Sequence, residues 1–215
     1  MLVELLKDQQ FQQLEKEYKF LSRARGATLD DIEFVIVDIE TTGLEPSLCE
    51  ITEIGAMKVM GKEFKDVYSS LIKTKYPIPA EITRLTGIDD EMVKDSPDAN
   101  SVLKKFVAFL GDAVLIAHNV DFDIPFIKHH LKKNLSLEIN NPALCTVKLS
   151  RKLLPQLPNH KLHTVAAHYG INVQNRHRAM GDVELTFQVW EHFIQRLKEQ
   201  GISNKAQLDA FIAQL

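Results

Sequence analysis

The chain has almost no cysteine. Its 215 residues include only Cys49 and Cys145, far apart and without CxxC spacing. That excludes a disulfide framework and a zinc knuckle, and makes a reducing cytoplasm the expected home. The sequence also lacks any stretch approaching the ~20 consecutive apolar residues of a membrane span. Its opening, MLVELLKDQQ, has no basic segment leading into a long apolar run of the kind that directs export. A protein that neither crosses a membrane nor leaves the cytoplasm is expected. No internal repeat, low-complexity tract or strong linker divides the chain. Nor is either charge in excess: 26 Lys and Arg stand against 29 Asp and Glu, a net charge of −3. Taken globally, that balance argues against a protein that coats nucleic acid by charge alone.

What is present is the composition of a globular domain. Hydrophobic residues at 45% and charged residues at 26% exclude wholesale disorder, and the length gives room for one core of ordinary size. Residues 1–30 carry Phe11, Leu14, Tyr18 and Leu21 at helical spacing, which predicts an amphipathic helix closed at Gly26. Residues 31–198 form the expected body. Phe34 to Ile39, FVIVDI, is a β-branched apolar run, expected in the middle of a sheet and covered on both faces. Segments near 51–59 and 63–72 are expected to pair as a hairpin turning at Gly61.

Ser96 and Pro97 are placed as N-cap and first position of a helix burying Val102, Phe106, Phe109 and Leu110. A short strand, Ala113 to His118, follows. Asp121 to Lys133 is then a helix whose Pro125 fits only in the first turn. Further helices are expected up to Gly170 and from Val183 to Leu197, and a last short one in a tail, residues 199–215. Meandering strands followed by alternating helices and strands predict an α/β domain with a mixed sheet.

Asp38 and Glu40 lie two apart at the end of the central strand, so strand geometry points both carboxylates to one side. Two carboxylates that close repel unless a cation sits between them, and hard divalent ions prefer oxygen ligands. A structural or merely solvated pair is the competing reading. Its position at the end of a buried strand, where α/β folds place their sites, favours function. Thr41, Thr42 and Gly43 follow as hydroxyls and permissive backbone, or simply as a turn. His118 and Asn119 end the second buried strand. Asp121 and Asp123 open the next helix, one suited to capping it and the other free for metal. His177 and Asp182, five apart, do not align on one helix, so His177 is expected in the loop and Asp182 in the first turns.

FVIVDIETTGL (34–44), IPAEITRLTGIDDEMV (78–93), LIAHNVDFD (115–123) and HRAMGD (177–182) together resemble the DEDD 3′–5′ exonucleases. The likeness is to the histidine-bearing subgroup that includes the proofreading epsilon subunit of bacterial DNA polymerase III. The segment around Thr86, Gly87 and Ile88 looks closest to exonuclease domains built into Gram-positive replicative polymerases and some helicases. The resemblance spans roughly residues 33–195, which makes 31–198 the exonuclease domain. It implies a ribonuclease H-like fold, a five-stranded mixed sheet flanked by helices. It also implies two divalent metal ions, Mg²⁺ or Mn²⁺, held by Asp38, Glu40, Asp123 and Asp182, with His177 as general base. Asp123 is preferred to Asp121 because it follows an aromatic residue, Phe122. Thr41, Thr42, Gly43, Leu44, His118 and Phe122 are implied to line the site for the terminal nucleotide.

Residues 139–181 contain no Asp or Glu but carry Lys148, Arg151, Lys152, Lys161, Arg176 and Arg178. A phosphate-binding groove needs such a stretch, which would otherwise be a solvated face. In the tail, Gln207 to Phe211 resembles the short Gln-Leu-x-x-Phe peptide that docks on sliding clamps, with Ala210 departing from it. Leu208, Phe211, Ile212 and Leu215 equally make a helical stripe. Three functions remain open from sequence: a DNA 3′–5′ exonuclease in proofreading or repair, an RNA 3′-end trimming enzyme, and a non-catalytic adaptor for a polymerase or clamp. Their expected partners are frayed or single-stranded 3′ ends and a DNA polymerase.

Overall fold

The computed structural model describes residues 28–172 and 178–214. The predicted N-terminal helix and His177 lie outside them. At the centre runs β1 (Glu33–Thr41), paired antiparallel with β2 (Ile51–Met60). β2 in turn pairs antiparallel with β3 (Glu63–Leu71). On the other side β1 pairs in parallel with β4 (Val114–Ala117), and β4 with β5 (Ala143–Cys145). The sheet order is β3-β2-β1-β4-β5, the mixed five-stranded arrangement expected.

Helices cover both faces. Between β3 and β4 come α1 (Ala80–Thr86), α2 (Asp90–Val93) and α3 (Ala99–Leu110), and between β4 and β5 comes α4 (Val120–Leu135). After β5 follow α5 (Thr146–Leu153), α6 (Leu162–His168), α7 (Ala179–Glu199) and α8 (Lys205–Ile212). Along β1, Val35, Val37 and Ile39 pack with Phe106 of α3 and Phe126 of α4. Phe34 and Ile36 point the other way, into a core shared with α5, α7 and α8. Alternation by two therefore builds two cores from one strand. Trp190 of α7 anchors the second core: its ring lies 4.8 Å from Phe34 and its Nε1 donates to the Gly61 carbonyl at 2.9 Å. That carbonyl belongs to the tight turn of the expected hairpin, which only a residue tolerating φ of 61° can make without strain.

Three local expectations are corrected. Helix α3 is capped by Asp98, whose carboxylate accepts from the Ser101 amide at 3.0 Å, rather than by Ser96. A carboxylate that reaches the third amide outcompetes a serine two residues too early. Helix α4 begins at Val120 behind Asn119, which holds the left-handed conformation with φ of 91°. Pro125 is thus past the first turn, where the i−4 carbonyl it cannot serve is that of exposed Asp121. Asp121 caps nothing among the described contacts and faces Lys148 at 3.7 Å. The tail stripe is a packed helix: Leu208 and Phe211 are buried in the second core, and Lys152 Nζ lies 4.3 Å from the Phe211 ring centre.

Candidate active site

The face of β1 that buries Phe34 and Ile36 continues with Asp38 and Glu40. The apolar run therefore ends in two carboxylates on the same side, where the strand leaves its cover. Asp182, in the first turn of α7, comes to meet them. One oxygen from each of Asp38, Glu40 and Asp182 lies within 4.8 Å of the others. Asp123, from the first turns of α4, is only 3% exposed and stands outside that trio but close enough for its charge to act on Asp38.

Such crowding has a cost that appears in the protonation equilibria. Burial, then the charges of Asp123, Glu40, Asp182 and Glu53, hold Asp38 well above the usual carboxylate range. Burial, with Asp182 and Glu53, pushes Glu40 up to about 7, and nearby Arg178 draws it partly back. Asp123 is pushed up to about 8 by burial, against the pull of backbone amides at Asp123 and Ile39. All-oxygen donors this close, raised by burial and then by mutual repulsion, fit a hard divalent cation, whose charge would relieve that repulsion.

A cleft of about 620 Å³ opens from Asp38 and Asp182. Its lining also includes Arg151, Asn159, His160, Lys161 and His163, all of them from the segment without acids. His118, at the end of β4, also lines it, but its imidazole is fully engaged. Nδ1 is 2.8 Å from the Thr146 hydroxyl and Nε2 is 3.1 Å from the His160 carbonyl. A carbonyl only accepts, so Nε2 carries the proton and Nδ1 accepts from Thr146. Burial pushes this histidine down to about 4, so it is neutral and has no lone pair to offer.

The expected nucleotide residues divide. Thr41 is buried and its hydroxyl donates to the Gly43 carbonyl at 2.6 Å. The Thr42 hydroxyl accepts from the Glu50 amide at 2.9 Å. Gly43 packs so tightly that a Cβ there would stand 2.6 Å from Cys49 Sγ. Leu44 alone projects, 84% exposed. Phe122 turns against Phe126, ring centres 5.0 Å apart, and does not line the cleft. Of the six cations of residues 139–181, Arg151 and Lys161 face the cleft. Lys148 faces Asp121, Lys152 covers Phe211, Arg178 holds Glu53, and Arg176 lies outside the described residues. Asn159 and His163 carried no motif of their own, and the acid-free run was the signal that marked their wall.

A mixed sheet in this order, with acidic side chains gathered at the end of its central strand, is the ribonuclease H-like architecture of nucleases. More narrowly, the chain belongs to the exonuclease family, whose model, described as Exonuclease, matches residues 35–190. It is 42% identical over 180 residues to the PolC-type DNA polymerase III of Caldanaerobacter subterraneus subsp. tengcongensis, covering 84% of this chain and 13% of that protein. To the PolC-type DNA polymerase III of Bacillus subtilis it is 35% identical over 187 residues, 86% of this chain and 13% of that one. The chain thus spans a small part of these polymerases. Among solved structures it is similar to Exonuclease X in complex with 5′ overhanging duplex DNA, at TM-score 0.61 and 26% identity, covering 78% of this chain and 93% of that one. The fold is also that of E. coli Exonuclease I in complex with a dT13 oligonucleotide, at TM-score 0.70 and 18% identity, covering 79% and 42%.

Proposed function

We propose that this chain is a metal-dependent 3′–5′ exodeoxyribonuclease, releasing nucleoside 5′-monophosphates from DNA 3′ ends in proofreading or repair. The observation that carries this is the meeting of Asp38, Glu40 and Asp182 within 4.8 Å beside a cleft walled by Arg151 and Lys161. Asp38, Glu40, Asp123 and Asp182 would hold two divalent ions, Mg²⁺ or Mn²⁺. When bound, such ions supply an activated water and stabilise the oxygen leaving the phosphodiester.

The chain's own residues do the rest. Arg151 and Lys161 hold the phosphates of the strand in the cleft. Thr41 and Thr42 stiffen the turn that presents Leu44 to the terminal nucleotide. The likeness of HRAMGD (177–182) to the histidine-bearing exonucleases gives His177 the role of taking the proton from the attacking water, work near neutrality that an imidazole of unperturbed pKa ~6.5 suits. Residues 31–198 form the exonuclease unit, with 1–30 and 199–215 as appendages, acting in the cytoplasm alongside a DNA polymerase. The burial of Leu208 and Phe211 counts against a sliding clamp as partner, because clamp docking would require α8 to leave the core.

The test is digestion of end-labelled single-stranded DNA and of RNA of the same sequence with Mg²⁺ or Mn²⁺. Stepwise shortening of DNA from the 3′ end, lost in Asp38→Ala and in His177→Ala, is expected. Faster loss of the RNA would replace DNA by RNA as substrate, and full activity of Asp38→Ala in EDTA would sink the metal mechanism.

A further inference from the structure

Glu53 is a buried acid that the mechanism above does not use. It lies on β2 directly across from Glu40, and two residues on, Gly55 lies across from Asp38. Side chains opposed in this way share a face, so Glu53 extends the acidic row of β1 onto the neighbouring strand. Like charges directly opposed repel. Here the repulsion is answered by Arg178, whose Nε and one terminal nitrogen donate to the two oxygens of Glu53 at 3.0 and 2.7 Å. The Ala179 amide, at the start of α7, adds a third bond at 3.0 Å. Glu53 is 2% exposed, so its carboxylate depends on these charge-assisted bonds, although the Arg178 side chain itself remains partly exposed.

The grip reaches Asp182 through the backbone. The Arg178 carbonyl accepts from the Asp182 amide at 3.1 Å, closing the first turn of α7. The same turn is seated on Gly55, where a Cβ would stand 2.8 Å from the Ala179 carbonyl carbon and 2.9 Å from the Met180 nitrogen. The absence of a side chain at Gly55 lets the helix settle beside Asp38, and Glu53 fixes it there. We propose that Glu53 is a positioning residue: acting through Arg178 and the Ala179 amide, it sets where Asp182 stands relative to Asp38 and Glu40. This rests on the reading of those three carboxylates as metal ligands. A misplacement of about an ångström is enough to weaken a site of this kind.

The test is Mn²⁺ titration of the full chain, read by the EPR signal of free ion, with thermal melting and with kcat and KM on a single-stranded oligonucleotide. The variants are Glu53→Gln, Arg178→Lys, Glu53→Gln with Arg178→Gln, and Asp38→Ala. In folded Glu53→Gln, Mn²⁺ affinity is expected to fall about 10–100-fold. kcat falls with it while KM stays within about twofold. The double variant keeps the wild-type net charge yet stays weak, because the two-pronged grip is gone. Arg178→Lys, which keeps the charge without the fork, carries the same expectation where Glu53→Gln does not fold. Wild-type Mn²⁺ affinity and kcat in folded Glu53→Gln or Arg178→Lys, even with lowered Tm, or recovery in the double variant, would overturn the proposal. Undiminished Mn²⁺ binding by Asp38→Ala would instead remove the metal reading beneath it.

Discussion

In the metal-free protein Asp38, Glu40 and Asp123 hold protons that the unfolded chain would already have released. Their ordinary values lie near ~4, whereas Glu40 is pushed up to about 7 and Asp123 up to about 8. The folded state therefore binds more protons between these limits, and by linkage metal-free stability falls as pH rises from about 4 through about 8. Two outcomes follow at this scale. Asp38→Asn removes the most crowded charge and should melt higher than wild type at pH 8 without metal, by roughly 2–4 °C for each kcal/mol relieved, while losing activity. Added Mg²⁺ should raise the Tm of the wild type, and by more at pH 9 than at pH 6, since at low pH protons compete for the same oxygens; a constant increment would contradict this. Much of the site was legible residue by residue, because the two-residue period of a strand places Asp38 and Glu40 together whatever surrounds them. Glu53 was not, because its partner Arg178 is 125 positions away and nothing in either residue's neighbourhood advertises the pair.

Among elements, long periodic ones were readable and short ones were not. β1 and α7 each carry enough apolar residues to show a period, and both stand where expected. β5 has three residues and α5 eight, too few for a pattern, and they form because β4 and the second core are there to receive them. The start of α4 was displaced by one residue because Asn119 adopts a left-handed conformation that the sequence alone does not announce. Helix α8 resolves the ambiguity of the tail, since Leu208 and Phe211 could have been either a peptide's anchors or a helix's buried stripe. Leu208→Ala is accordingly expected to destabilise the protein by about 2–5 kcal/mol, measured as a lowered urea midpoint. An unchanged midpoint would show α8 to be detachable.

Over the whole molecule the net charge of −3 conceals a local gathering of both signs, acids at the end of β1 and the cations Arg151 and Lys161 along the cleft that opens from them. Binding to single-stranded oligonucleotide should weaken steeply with salt, and Arg151→Ala or Lys161→Ala should each reduce the slope of log affinity against log salt by about 0.7, across all sequences alike. Unchanged slopes would remove these two side chains from the phosphate path. Segments distant in sequence are also joined at this scale. Thr28 bridges to Asn204, and the Leu29 amide donates to the Ser203 carbonyl at 2.9 Å. The segment before β1 and the segment before α8 thus lie side by side. Joining segments this far apart in sequence carries a loop-closure cost, which the burial of Leu208 and Phe211 just beyond the join offsets.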